Sequence, residues 1–293
     1  MPIIQLAPAS VALDNESAQI QELLNTENLL QEDAKFLLTT RHGSQNVITQ
    51  GANQGKSIGQ WLAESNNEVL GTRGMDYGTI PFEIRDLGAE NAKIFYSARK
   101  QHSANWFVTS APEGAAIYFG FNNQLTPDEL QAALKDGSWK DKLTKVETKA
   151  GDLFDLEPGT IYVFEKGPRI LEVQKTVDEK DPNEAVPFEK VQPVHDEHDH
   201  EHEDEAVAEG EAETACAGYN DVYVFDLYRV DGSLDLNASS RSFKVLVFLN
   251  GDGVVNAQNE TYHVEPDSVL FVGADTPTFN VTGNCSFAMI HLS

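Results

Sequence analysis

Short apolar runs separated by turns rich in glycine, proline, aspartate and asparagine recur along most of this chain, and few folds accommodate that rhythm. Phe36 to Thr40, Asn46 to Thr49, Phe82 to Arg85, Lys93 to Tyr96, Trp106 to Thr109, Ala115 to Phe121, Leu153 to Leu156, Ile161 to Glu165 and Arg169 to Gln174 have the length and the branched or aromatic content of strands. After residue 218 the rhythm tightens. Asp221 to Arg229, Leu234 to Leu236, Phe243 to Leu249, Tyr262 to Val264, Val269 to Val272, Thr278 to Val281 and Phe287 to Ile290 predict seven strands in 75 residues. Val230-Asp231-Gly232-Ser233 reads as one turn among them, and Asn250-Gly251-Asp252-Gly253 as a strong hairpin turn. Such punctuation predicts sandwiches or barrels, and a compact jelly roll for the last block.

Helices are few. Ser57 to Leu70 has an apolar stripe, with Ser57 as N-cap and Gly71 as the stop. Thr126-Pro127-Asp128-Glu129 is a stronger start, with threonine at the N-cap, proline at N1 and glutamate at N3 closing a capping box. Trp139 to Leu143 predicts a second short helix. Residues 1–35 give only weak helical spacing at Ile20, Leu23 and Leu24.

One stretch breaks the pattern. Between Asp178 and Glu213 there are 15 acidic and 2 basic residues, half of the chain's net charge of −26. With almost no branched or aromatic residues after Val194, this segment cannot bury enough surface to offset its ordering entropy, so composition predicts a disordered linker over 178–217. The linker would divide an N-terminal β domain, 1–177, from a C-terminal one, 218–293. Such an acidic chain is a poor match for nucleic-acid phosphates or an anionic membrane surface. The longest apolar runs, such as Val245 to Leu249, are too short to span a bilayer, and the N-terminus lacks the pattern of a signal peptide. Two cysteines, Cys216 and Cys285, make no disulfide framework, which leaves the cytoplasm as the expected compartment and Cys285 as a buried thiol.

In order and spacing, several motifs are similar to those of the type I mannose-6-phosphate isomerases, of the cupin superfamily. Pro112 to Phe121, the helix at Thr126, Lys149-Ala150-Gly151-Asp152 and Glu157-Pro158-Gly159-Thr160-Ile161 resemble that family's catalytic barrel, which carries a K-x-G-D turn and then a P-x-G-T-x-H turn. His42 to Leu62 looks like the stretch that precedes them. Phe225 to Gly283, with Leu249 to Gly253 and Val264 to Ser268, resembles the family's second, non-catalytic barrel. The resemblance covers 36–177 and 219–293. It implies a mainly β chain of two cupin-type jelly-roll barrels, with a few short helices inserted in the first.

The resemblance also implies zinc-assisted interconversion of an aldose and a ketose phosphate, with zinc held by three or four N, O or S ligands. The family's ligands are a Gln and a His two apart on one strand, a Glu in G-K-T-E-x-W, and the His of P-x-G-T-x-H. Here those positions correspond to Phe95 and Ser97, Ala104, and Tyr162. None is a good zinc ligand. A phenol titrates near 10, and serine and alanine cannot replace an imidazole or a carboxylate. Asp226-Leu227-Tyr228-Arg229 looks at first like the family's arginine segment, but it fits better as the opening hairpin of the second barrel. Phe188-Glu189-Lys190 resembles the run that follows that segment in the family.

Other candidates carry a bland reading beside the sharp one. Arg99, Lys100 and Lys175 are placed to hold a phosphate at a barrel mouth, yet surface charge explains them more simply. His195, His198, His200 and His202 have the right chemistry for a divalent metal, but a solvated acidic loop would carry them incidentally. His102 stands where the family's G-K-T-E-x-W has its Lys, two residues before Ala104, and a loop before Trp106 explains it more simply. His263 and His291 alternate with apolar residues, as half-exposed sheet residues do. Three readings follow. The first is a homologue that has lost its zinc site and no longer catalyses, and that binds a sugar phosphate or a protein partner. The second is an active isomerase with a displaced metal site. The third is an unrelated protein of two cupin barrels that binds a small ligand or a metal.

Overall fold

A computed structural model describes residues 3–10, 34–40, 45–88, 93–96, 103–123, 125–156, 160–165, 167–176, 212–258 and 260–293. The strands, in chain order, are β1 (Ile3–Leu6), β2 (Ala9–Ser10), β3 (Ala34–Leu38), β4 (Phe82–Gly88), β5 (Lys93–Tyr96), β6 (Ala104–Ser110), β7 (Ala116–Phe121), β8 (Leu143–Glu147), β9 (Leu153–Leu156), β10 (Ile161–Glu165) and β11 (Arg169–Lys175). After the acidic segment come β12 (Ala212–Tyr219), β13 (Tyr223–Asn237), β14 (Lys244–Ala257), β15 (Glu260–Val264), β16 (Val269–Val272) and β17 (Thr278–Leu292). Helices are short: α1 (Ile58–Glu64), α2 (Gly71–Tyr77) and α3 (Pro127–Asp136). The chain is mainly β, as expected.

The described residues group into two compact units. One draws on Met1–Ser10, Lys35–Arg85 and His202–Ser293, the other on Val11–Ala34 and Asp86–Glu201. In the first unit a sheet runs β1-β16-β14-β17-β13-β12, with β15 paired to β14. Its edge strand β1 comes from residues that gave no strand signal; Ile3 lies opposite Val272 and Leu6 opposite Val269. One face of this sheet buries Leu246, Phe248, Leu270, Val272, Val281 and Phe287 together with Ile3. On the other, Phe243 stacks between Phe82 and Phe271, at 5.8 and 5.1 Å.

The predicted turns of this sheet are not turns. β13 and β14 run straight through Val230–Ser233 and Asn250–Gly253. Gly253, Gly283 and Gly232 lie side by side on β14, β17 and β13, so the long strands can come close and bend across a column that lacks side chains. Gly251 has φ +73, beside the register shift between Phe248 and Asn250, and a Cβ there would meet Asn284 O at 1.9 Å. The glycines that suggested a hairpin serve a bulge instead.

Three further expectations need correction. Asn46 to Thr49 forms isolated bridges rather than a strand. The Asn46 amide is buried and bonds Thr39 N–H and the carbonyls of Ala7, Phe36 and Leu37, backbone groups that a ladder would otherwise pair. The single helix expected over 57–70 is α1, then a 3₁₀ turn (Asn67–Leu70), then α2. Ser57 caps α1 with Gln60 closing a box, Asn66 caps the turn, and Gly71 takes φ +76 where a Cβ would lie 2.6 Å from the Arg241 backbone. Residues 212–217, placed by composition in the acidic linker, belong to β12, whose backbone pairs with β13 and whose Ala217 is buried. The remainder of that linker, 178–211, lies outside the described residues.

In the second unit one sheet runs β5-β10-β7-β8, and β11-β6-β9 run side by side in another. The capping box at Thr126 is present as expected, and α3 stops at Gly137 in the left-handed conformation. Trp139 lies in a 3₁₀ turn, Ser138–Lys142, rather than an α-helix. Among the described residues no helix is long and apolar enough to cross a membrane.

Candidate functional site

The interior of the second unit is where the family-like positions meet. On the first sheet Tyr162 of β10 lies opposite Phe95 of β5 and Phe119 of β7. On the second sheet Ala104 and Trp106 are two apart on β6 and therefore share a face. The Trp106 ring stands edge-on to Tyr162 at 4.6 Å and lies 6.3 Å from Phe119, which meets Phe154 edge-on at 5.3 Å. Tyr162, Ala104 and Trp106 are all buried. Offset and edge-to-face contacts of this kind strengthen an apolar core beyond the area that it buries.

Two polar residues missed in the sequence lie on the same face. Glu172 of β11 is opposite Trp106 and Gln174 is opposite Ala104, and they are 1% and 5% exposed. The indole N–H of Trp106 donates to Glu172 Oε2 at 2.7 Å, so each group satisfies a partner that would be costly to bury alone. Arg169-Ile170-Leu171-Glu172-Val173-Gln174 reads as an ordinary alternating strand, which is why neither residue drew notice. Their signal was only that the polar positions share a parity. On the other face of β6, Asn105 hydrogen-bonds Asp155 of β9. At the far end of β11, Arg169 clamps Asp86 with Nε at 2.9 Å and Nη2 at 2.6 Å.

Zinc would need three or four nitrogen, oxygen or sulfur donors. Among the described residues here the donors are a carboxylate already bonded to an indole, an amide and a buried phenol, with no imidazole. Nowhere among the described residues do three His, Cys, Asp or Glu side chains gather as metal ligands would. Among the described residues alone, that donor set falls short of a zinc shell.

The remaining sequence candidates divide simply. Lys175 ends β11, half-buried, its N–H bonded to Ser103 O at 3.2 Å. Ser97, Arg99, Lys100, His102 and the cluster His195, His198, His200 and His202 lie outside the described residues, as does His42; Phe95 is described by its backbone alone. Cys285 is buried and Cys216 exposed. His263 is exposed, whereas His291 is half-buried against Asp226.

Comparison with known proteins gives a consistent picture. Residues 217–292 match the family model "Mannose-6-phosphate isomerase, cupin domain". A mannose-6-phosphate isomerase of Streptococcus mutans is 41% identical over 73 residues, which cover 25% of this chain and only 23% of that protein. The YvyI protein of Bacillus subtilis is 22% identical over 273 residues, 84% of each chain. Among solved structures, the mannose 6-phosphate isomerase of Bacillus subtilis superposes with a TM-score of 0.68 at 15% identity, covering 99% of this chain and 100% of that one. Another mannose 6-phosphate isomerase, solved in a zinc-bound form, gives 0.68 at 14% identity with both chains fully covered.

Proposed function

From its membership of the type I mannose-6-phosphate isomerase family, within the cupins, we propose that the chain is an isomerase-like protein without zinc catalysis, retained for binding a sugar phosphate or a protein partner. The reading rests on one observation. Where the resemblance puts zinc ligands, Tyr162 and Ala104 stand in a ring-packed interior, and Glu172, the carboxylate nearest in register, is spent on Trp106. A substrate's hydroxyls would find no Lewis acid fixed by these residues. Its phosphate would be held by Arg99, Lys100 and Lys175. Membership of the family leaves no room for the unrelated-protein reading.

One observation favours a second reading, that of an active isomerase with a displaced metal site. Glu172 is a buried carboxylate one diagonal step from Ala104 on the same face, close enough to take over a ligand's part if another donor joined it. Metal analysis and a coupled assay decide between the two. Purified protein is expected to hold far less than one zinc per chain after dialysis against a weak chelator, and to show no conversion of mannose 6-phosphate. Stoichiometric zinc with turnover, both abolished by Glu172→Gln and both surviving deletion of 195–202, would establish the second reading. Zinc retained only while 195–202 are present would assign it to the histidine cluster.

A further inference from the structure

Asn250-Gly251 is the only asparagine–glycine pair in the chain, and it sits where β14 is held least. An asparagine amide is attacked by the backbone nitrogen of the residue that follows, and a side chain on that residue hinders the approach; glycine has none. A regular strand suppresses the reaction, because its ladder fixes the nitrogen while the side chain stands away from the backbone. Here that protection is incomplete. The β14–β17 register shifts between Phe248 and Asn250. On its other side β14 pairs with β16 only up to Val247, and with β15 only from Gly253. Among the described residues, Leu249 to Asp252 are therefore held by a partner strand from one side alone. Asn250 and Gly251 are both exposed, and Gly251 takes φ +73. The Asn250 amide Nδ2 reaches Ser286 Oγ only at 3.5 Å, at the outer limit of a hydrogen bond.

The other asparagines of this sheet are built differently. Asn237, Asn256, Asn280 and Asn284 also lie on long strands and none is buried, but alanine, alanine, valine and cysteine follow them. They serve as internal controls for the glycine.

We propose that Asn250 is a site of spontaneous covalent modification, which makes the C-terminal sheet a slow and irreversible clock. The Gly251 nitrogen bonds to Asn250 Cγ and closes a succinimide ring, and the amide nitrogen leaves as ammonia with the proton that Gly251 gives up. Water then opens the ring at either carbonyl, giving aspartate or isoaspartate. Water is the only co-reactant. Either product places a new negative charge two residues from Asp252. Isoaspartate also adds a carbon to the main chain of β14. There is no slack for it, since Gly251 passes Asn284 O so closely that even a Cβ would lie 1.9 Å away. The column of Gly253, Gly283 and Gly232 beyond it would lose its register.

The full chain, incubated in mildly alkaline buffer and sampled for peptide mapping by mass spectrometry and for thermal unfolding, tests this. Asn250 should convert roughly tenfold or more faster than Asn237, Asn256, Asn280 and Asn284, where a side chain follows. Tm should fall in step with the isoaspartate fraction. Asn250→Gln keeps an amide but needs a larger ring to cyclise, and it should hold its Tm through the same incubation. The proposal fails if the folded chain keeps Asn250 under conditions in which the urea-unfolded chain loses it, since the ladder would then protect the site. It fails equally if Asn284 converts as quickly, if conversion leaves Tm unchanged, or if Asn250→Gln loses Tm as fast as the wild type does.

Discussion

Two aromatic-rich faces in this molecule each bury an ionisable group, and they treat it differently. In the second unit Glu172 meets an indole N–H from the neighbouring strand, and the rings of Trp106, Tyr162, Phe119 and Phe154 close around the pair. In the C-terminal sheet the Tyr228 and Phe287 rings stack 6° from parallel, yet Lys244 on that face is left without an acceptor among the described residues. The first arrangement closes its charged group into the core, whereas the second lets the ammonium reach the surface.

The contrast breaks most visibly at the rings. Trp106→Ala is expected to cost roughly 4 kcal/mol, near the middle of the range for large aromatic truncations, and to strip Glu172 of a donor as well. Phe287→Ala opens a comparable cavity but orphans no hydrogen bond and should cost about 3 kcal/mol. Urea unfolding of both variants makes the comparison. If Phe287→Ala costs as much or more, the indole–carboxylate pair adds nothing to the first interior.

Next comes the backbone of the C-terminal sheet. Gly251→Ala forces a non-glycine residue to φ +73 with its Cβ against Asn284 O, so a loss of roughly 2 kcal/mol or more is expected by the same measurement. A neutral substitution would mean that β14 does not pass Asn284 so closely and that the turn predicted from the sequence was right after all.

Those same residues show what a sequence discloses. The capping box at Thr126 was legible because every partner lies within one helical turn. β1 was not, since Ile3 to Leu6 becomes a strand only by pairing with β16, more than 260 residues away. Asn250 to Gly253 carries the local signal of a hairpin, and only the opposite glycines of β17 and β13 reveal a bend within continuous strands. At the candidate site, order and spacing could place Ala104 and Tyr162 at the positions that the resemblance gives to zinc ligands, and the structure buries both. Glu172 could not, because alternation in a strand does not say which face meets solvent. Lys244 was hidden for the same reason: one charge before an apolar run looks like an edge.

A smaller test isolates the indole. Trp106→Phe keeps the ring but removes its N–H, leaving Glu172 short of a donor at a cost of about 1–2 kcal/mol. Adding Glu172→Leu to that variant should cost less than the two single changes together, since the second removes the group that the first left unsatisfied. Strict additivity in the double-mutant cycle would show that the 2.7 Å contact contributes no coupling and that this interior is no more finished than the other.

The smallest effect belongs to the C-terminal face and is read at alkaline pH. Burial, and then the negative charge of Asp226, push the Tyr228 hydroxyl up from 10 to about 12. In the unfolded chain a tyrosine titrates near 10. The folded state therefore keeps its proton longer, and the stability linked to it is full below about pH 10 and lost as pH rises towards 12. Wild-type protein should lose stability more steeply across that interval than Tyr228→Phe. Tyr262, raised by burial and by its hydrogen bond to Glu260, contributes equally to both and cancels. Asp226→Asn should narrow the difference without abolishing it, because burial is the larger cause. Equal slopes for wild type and Tyr228→Phe would mean that water reaches this face freely. The stacked Tyr228 and Phe287 rings would then lie at the surface, and this face would not be an interior at all.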